Sequence, residues 1–263
     1  MGEDADFLTS LARGLAVLEA FDADHPAMSL ADVARVTSLD RSAVRRLLHT
    51  LVERGYVRTD GQSFALHPSV LRIGTAYLSS LALPEVAVPH LRRIADQVQE
   101  SASVAVLEGD EIVYVAHVPT RRLMSMSLTV GSRLPAYATS MGRVLLAHKD
   151  DEWLDAYFGA AVLTPLTRRT ETDPARLRAE FAAIRKRGWA VADEELEAGL
   201  RSIAAPIEDA AGEVVAAVNV SSHAGRLSVQ ELVAVAREPL CAAARAISVE
   251  TADAGRGARS VSR

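Results

Sequence analysis

Arg41, Arg45, Arg46, Arg54 and Arg58 crowd the stretch between Leu39 and Thr59, where only Asp40 and Glu53 oppose them. A guanidinium group presents a planar fork of donors that matches phosphate oxygens and the acceptor edge of guanine. Ser42 and His49 lie among these arginines and add single hydrogen-bonding groups. The chain as a whole carries a formal net charge of −5, so this basic segment runs against the average. A local cationic excess in an acidic chain marks a surface for a polyanion. The chemistry implied is contact with double-stranded DNA.

The elements that must position these groups are legible around them. Ser29 precedes Leu30, Val33 and Ala34, an N-cap ahead of an apolar stripe. Thr37-Ser38-Leu39-Asp40 interrupts the stripe and supplies Asp40 as a second cap. From Arg41 to Arg54, Val44, Leu47, Leu48 and Leu51 share one face, and Gly55 ends the helix. Tyr56–Thr59 and Ser63–Leu66 flank the turn Asp60-Gly61-Gln62 and predict a short hairpin. Helix, tight turn, basic helix and hairpin in this order predict a winged helix-turn-helix. Ser29, Arg41, Ser42, Arg45, Arg46 and His49, with Arg58 and Gln62 on the wing, are the candidate DNA contacts.

A second set of groups lies further along and suits a small anion. Gly131 to Gly142 reads as a turn into a helix whose small residues leave the amides of Ser140, Met141 and Gly142 approachable, a natural place for a carboxylate. Asp193 to Ser202 is an acidic loop that ends in a polar strand residue. Asn219 and Ser221 stand two apart on an otherwise apolar strand and so share a face. No catalytic constellation stands out. The seven histidines are scattered, and no phosphate-cradling glycine loop, metal-ligand spacing or nucleophile elbow occurs. No catalytic residue, metal ligand or cofactor is therefore expected. An enzyme or cofactor-bearing sensor is the competing class, and colour or turnover in the purified protein would reveal it.

The chain has 263 residues, 49% hydrophobic and 24% charged, which suits a soluble protein of two domains. A single cysteine, Cys241, excludes an internal disulfide framework and fits a reducing cytoplasm. No apolar run is long enough to cross a membrane, and the acidic start does not read as a secretion signal. Leu8 to Phe21 predicts an opening helix with Leu11, Leu15, Leu18 and Phe21 as its buried stripe. The expected layout is a DNA-binding domain over 7–67, a linker helix over 68–84, a ligand-binding and oligomerising domain over 85–250, and a disordered tail over 251–263. In the second domain 103–107, 111–116, 123–130, 189–191, 202–208 and 213–221 read as strands. Helices are expected over 86–98, 140–148, 151–158, 174–187 and 228–249. This order predicts an α+β domain built on a central antiparallel sheet.

The stretch Ser10–Phe21, with Leu134–Arg143 and Ala198–Ile207, resembles the IclR family of bacterial transcriptional regulators over about residues 7–250. Arg121–Leu134 is similar to the subgroup that controls catabolism of protocatechuate, 4-hydroxybenzoate and β-ketoadipate. The resemblance implies an N-terminal winged helix followed by a GAF-like effector-binding domain, assembled as a homodimer or a tetramer (a dimer of dimers). It implies a small aromatic or dicarboxylic acid as effector. Carried over residue by residue, the effector pocket falls on Leu123, Met126, Leu134, Ser140, Met141, Asp193, Ser202, Asn219 and Ser221. The family often has cysteine at the position of Ser202 and serine at that of Asn219.

Overall fold

The computed structural model describes residues 7–22, 24–80, 82–120 and 128–261. The chain divides into two compact units, Met1–Ser80 and Leu81–Arg263.

In the first unit α1 (Thr9–Glu19), α2 (Leu30–Thr37) and α3 (Arg41–Glu53) precede an antiparallel hairpin of β1 (Val57–Thr59) and β2 (Phe64–Leu66). Both expected caps form. Ser29 and Asp32 exchange hydrogen bonds in a capping box at the start of α2. The Asp40 carboxylate accepts from the Ala43 amide at the start of α3. Val33, Val44, Leu48 and Val57 meet in a dry core with Val17 and Phe21 of the opening segment.

The opening helix turns only part of the expected stripe inward: Phe21 is buried and Leu18 packs on the core. Leu11 and Leu15 are 59% and 48% exposed, while Val17 is fully buried. Val17, Leu18 and Phe21 pack inward, and Gly14 lies beside Leu47, whose methyl is 3.9 Å from where a Cβ would stand, an ordinary contact. After the hairpin, a 3-10 turn over Pro68–Val70 leads into α4 (Leu71–Ser80), so the expected linker is a turn followed by a helix.

The second unit begins with α5 (Ala82–Val98) and continues through β3 (Ser101–Glu108), β4 (Glu111–Val118), β5 (Arg133–Pro135), α6 (Ser140–Ala147), α7 (Asp151–Ala160) and α8 (Pro174–Arg187). It closes with β6 (Ala190–Asp193), β7 (Leu200–Glu208), β8 (Val214–His223) and α9 (Val229–Val261). The six strands form one sheet in the order β5-β4-β3-β8-β7-β6, antiparallel throughout. The expected α+β domain with a central antiparallel sheet is therefore present. α6, backed by α8, covers one face; α5 and α9, packed on each other, cover the opposite face.

Two expectations need correction. Of the strand expected over 123–130, residues 121–127 lie outside the described residues, and 128–132 form a turn. Gly131 takes φ +90° there, and the Ser132 hydroxyl accepts from the Thr129 amide at 3.0 Å. The strand of this region comes later, Arg133–Pro135, paired with Val113–Glu111. At the other end α9 stays helical to Val261, through a stretch expected to be disordered. Alanines 252, 254 and 258 are strong helix formers and offset its glycines.

Candidate functional site

On α3 the inward side chains Ala43, Val44 and Leu48 are buried, which forces Arg41, Ser42, Arg45, Arg46 and His49 outward. All five are exposed. The side chains of Arg41, Arg45, Arg46 and His49 make no hydrogen bond or ion pair among the described residues. Ser42 differs, because its hydroxyl donates to the Asp40 carboxylate at 2.6 Å. That bond and the Ala43 amide hold Asp40 below the usual carboxylate range. Ser29 is spent similarly: its hydroxyl donates to Asp32 at 2.7 Å and accepts from the Asp32 amide at 3.2 Å. Among the candidate DNA contacts, Ser29 and Ser42 thus shape the helix starts, and the long cationic side chains are left unengaged.

The wing carries Arg58 on β1 and Gln62 at the turn, both exposed. The turn is set by Asp60, whose carboxylate accepts from the Ser63 amide at 2.7 Å, the Gln62 amide at 2.9 Å and the Ser63 hydroxyl at 2.9 Å. Three donors favour the charged form and bring the Asp60 pKa down to about 2.

In the second unit, strand register decides which side chains meet under α6. Ala192 pairs with Ser202, and Ser202 pairs with Ser221. Asn219, two residues before Ser221, pairs with Ala204 on one side and Ser103 on the other. Ser202, Asn219 and Ser221 therefore share the face under α6 and line a small, nearly filled pocket of about 20 Å³, room for about one water molecule. Tyr114, Leu128, Ala138, Thr139, Ala192, Glu195, Leu196 and Leu200 complete its wall.

The other expected ligand residues are placed as follows. The Ser140 side chain is wholly buried behind the wall and donates to the Ser202 hydroxyl at 2.7 Å, tying α6 to β7. Met141 is in the apolar core, and Leu134 packs against that core from β5. Asp193 points away from the pocket. It is one residue past Ala192, on the opposite face, and its carboxylate is bound by Arg201 and Arg169. Leu123 and Met126 lie outside the described residues.

The start of α6 has the character expected of an anion site in part. Thr139 caps the helix, its hydroxyl accepting from the Gly142 amide at 3.1 Å, so that amide is already used. Among the described residues, no bond engages the N–H groups of Ser140 and Met141. Gly142 has a separate role: a Cβ would lie 2.1 Å from the Ala136 carbonyl oxygen, so only glycine lets α6 pack against the turn over Ala136–Ala138.

The acidic loop that opens at Asp193 is not merely solvated. Arg201 also reaches Glu194, and donates to the carbonyls of Ala224 and Leu227 at 3.0 and 2.8 Å. Arg143, 5% exposed, grips both oxygens of Glu195 and donates to the Tyr137 carbonyl at 2.8 Å. The hydroxyls of Thr167 and Thr170 hold the carbonyls of Glu194 and Glu195. This strapping puts Glu195 and Leu196 into the pocket wall. The signal was present in the sequence as arginines at 143, 169 and 201, but these are far apart in the chain.

Two polar groups complete the electrostatics. Burial pushes the Tyr114 phenol up and the His117 imidazole down, so both stay neutral near pH 7. His117 Nδ1 is hydrogen bonded to the Ser103 hydroxyl at 2.9 Å. The described residues contain no group of histidine, cysteine and carboxylate side chains able to hold a metal ion, and no helix long and apolar enough to cross a membrane.

Comparison with known proteins matches residues 10–61 to the IclR helix-turn-helix domain and residues 75–249 to the C-terminal domain of bacterial IclR transcriptional regulators. The chain is 53% identical over 230 residues to the Pca regulon regulatory protein of Pseudomonas putida, covering 87% of this chain and 79% of that protein. It is 38% identical over 237 residues to the p-hydroxybenzoate hydroxylase transcriptional activator of Acinetobacter baylyi, covering 87% and 86%. Among solved structures it is similar to an IclR homologue from Microbacterium hydrocarbonoxydans complexed with 4-hydroxybenzoate. The TM-score is 0.81 at 30% identity, covering 94% of this chain and all of that one.

Proposed function

This chain belongs to the IclR family of bacterial transcriptional regulators, and from that membership we propose that its C-terminal pocket senses a small aromatic or dicarboxylic acid of the protocatechuate, 4-hydroxybenzoate or β-ketoadipate class. It is a ligand-responsive regulator that binds promoter DNA through its winged helix. The observation that carries the effector reading is the pocket: Ser202, Asn219 and Ser221 on one wall, Thr139 at the start of α6 on another, and apolar Leu128, Leu196 and Leu200 around them. The effector carboxylate sits at the helix start, where amide donors and the helix dipole favour negative charge. The polar strand groups orient its remaining oxygens, and the leucines pack on carbon. The Pseudomonas and Acinetobacter relatives, by their names, and the 4-hydroxybenzoate complex support this class.

The working form is a homodimer or a dimer of dimers. Phe7, Leu8, Leu11 and Leu15 are 65%, 67%, 59% and 48% exposed, an apolar stripe that a second copy would cover. Effector binding regulates by favouring one arrangement of the paired DNA-binding units, which requires unequal affinity for the alternatives. A thermal-shift screen of aromatic-pathway acids tests the effector class. At a ligand concentration of a hundred Kd the stabilisation is about 2.7 kcal/mol, or a rise in Tm of roughly 5–10 °C. No acid raising Tm beyond an equal concentration of sulfate would refute the class.

A further inference from the structure

The pocket wall contains a buried polar atom with nothing to bind among the described residues. Asn219 is 3% exposed, its Nδ2 donates to the Ser221 hydroxyl at 3.0 Å, and its Oδ1 has no hydrogen-bond partner among the described residues. Buried side-chain acceptors are nearly always satisfied, so an orphan facing a cavity points to something that enters it. The cross-strand neighbours do not supply the missing donor. Asn219 pairs across the sheet with Ala204, which has no polar side chain, and with Ser103, whose hydroxyl is bonded to His117. The next residue along the same face towards the start of β8 is Ala217, which is equally inert.

From this we infer that Asn219 Oδ1 reads a hydroxyl donor on the effector, so that the pocket selects hydroxylated aromatic acids over acids of similar size that carry only acceptors. The inference rests on the pocket being the effector site. An amide oxygen accepts an O–H, whereas a ketone or carboxylate oxygen in the same place would meet it lone pair to lone pair. The Ser221 hydroxyl, which accepts from Nδ2, keeps its own hydrogen and completes a donor and acceptor pair around the incoming hydroxyl. A keto dicarboxylate offers carboxylates to the start of α6 but leaves Oδ1 unsatisfied. Sites built around a buried hydrogen bond discriminate against analogues that cannot make it.

The test is calorimetric titration of the full chain with 4-hydroxybenzoate, 3,4-dihydroxybenzoate, benzoate and β-ketoadipate, on the wild type and on Asn219→Leu and Asn219→Ala. The wild type is expected to bind a hydroxylated acid at least about tenfold more tightly than benzoate or β-ketoadipate. Both variants should lose that preference, and a cooperative thermal unfolding transition reports that they fold. Equal affinities in the wild type, tighter binding of β-ketoadipate, or a preference surviving in either folded variant would overturn the inference and leave the effector site standing. If none of the four acids binds the wild type, the effector class and this inference fall together.

Discussion

Arginine is used in two opposite ways in the two units. On α3, Arg41, Arg45 and Arg46 are exposed and bind nothing among the described residues, although Asp40 is close at hand and satisfied by Ser42 and Ala43 instead. In the second unit, Arg143, Arg169 and Arg201 close on Glu195, Asp193 and Glu194 and hold a loop against the pocket. The difference lies in what each arginine was given as a neighbour. A guanidinium left without a carboxylate remains available to phosphate; one supplied with a carboxylate becomes a structural tie. Capping residues therefore serve recognition indirectly, by keeping the acids near α3 occupied.

Substitutions can break this contrast. Arg143→Ala should have the largest effect, because it leaves Glu195, with only 12% of its side chain exposed, without its cationic partner and with only the Glu171 amide, at 3.0 Å, donating to its carboxylate among the described residues. A loss of about 3–5 kcal/mol in the unfolding of the second unit is expected in urea titration. The double change Arg143→Met, Glu195→Leu should recover most of that loss, and failure to do so would show that the ion pair is not the source.

Arg45→Ala and Arg46→Ala should leave stability within about 0.5 kcal/mol. Each should instead lower the dependence of log K on log salt for promoter DNA by about one if it meets a phosphate. Stability losses as large as that of Arg143→Ala would mean these arginines are structural after all.

The smallest effect concerns the wing. A carboxyl held at a pKa of about 2 against an ordinary 3.8 contributes to the folded turn above pH of about 4. That contribution is lost as pH falls from about 4 towards 2. An NMR titration of Asp60 with a midpoint near 2 in the wild type, returning towards the ordinary value in Ser63→Ala, is the expected result. A wild-type midpoint near 4 would remove the wing from the comparison.

The first unit was largely legible in the sequence, because its signals are local: Ser29 with Asp32, Asp40 with Ala43, and Asp60 with Ser63 each act within three residues. Its one misread element, α1, kept Leu18 and Phe21 of the expected stripe inward but buried Val17 in place of Leu11 and Leu15. The pocket was only half legible. Asn219 and Ser221 followed from strand parity, and Ser202 from the end of the acidic loop and the family resemblance. Asp193 did not, because its strand ends one residue past the one facing inward, so alternation carried it to the other side. Thr139, Tyr114 and Glu195 were missed because they reach the pocket through sheet order and a strapped loop, which no spacing along the chain encodes.

The close approach at Gly142 also sets how this sensor can diversify. The backbone of α6 is wedged against Ala136–Ala138 with no room for a methyl group, so the helical side of the pocket is a fixed template. New ligand preferences, whether selected in a population or sought in a library, have to be written on β7 and β8, where side chains can change without moving the chain that carries them.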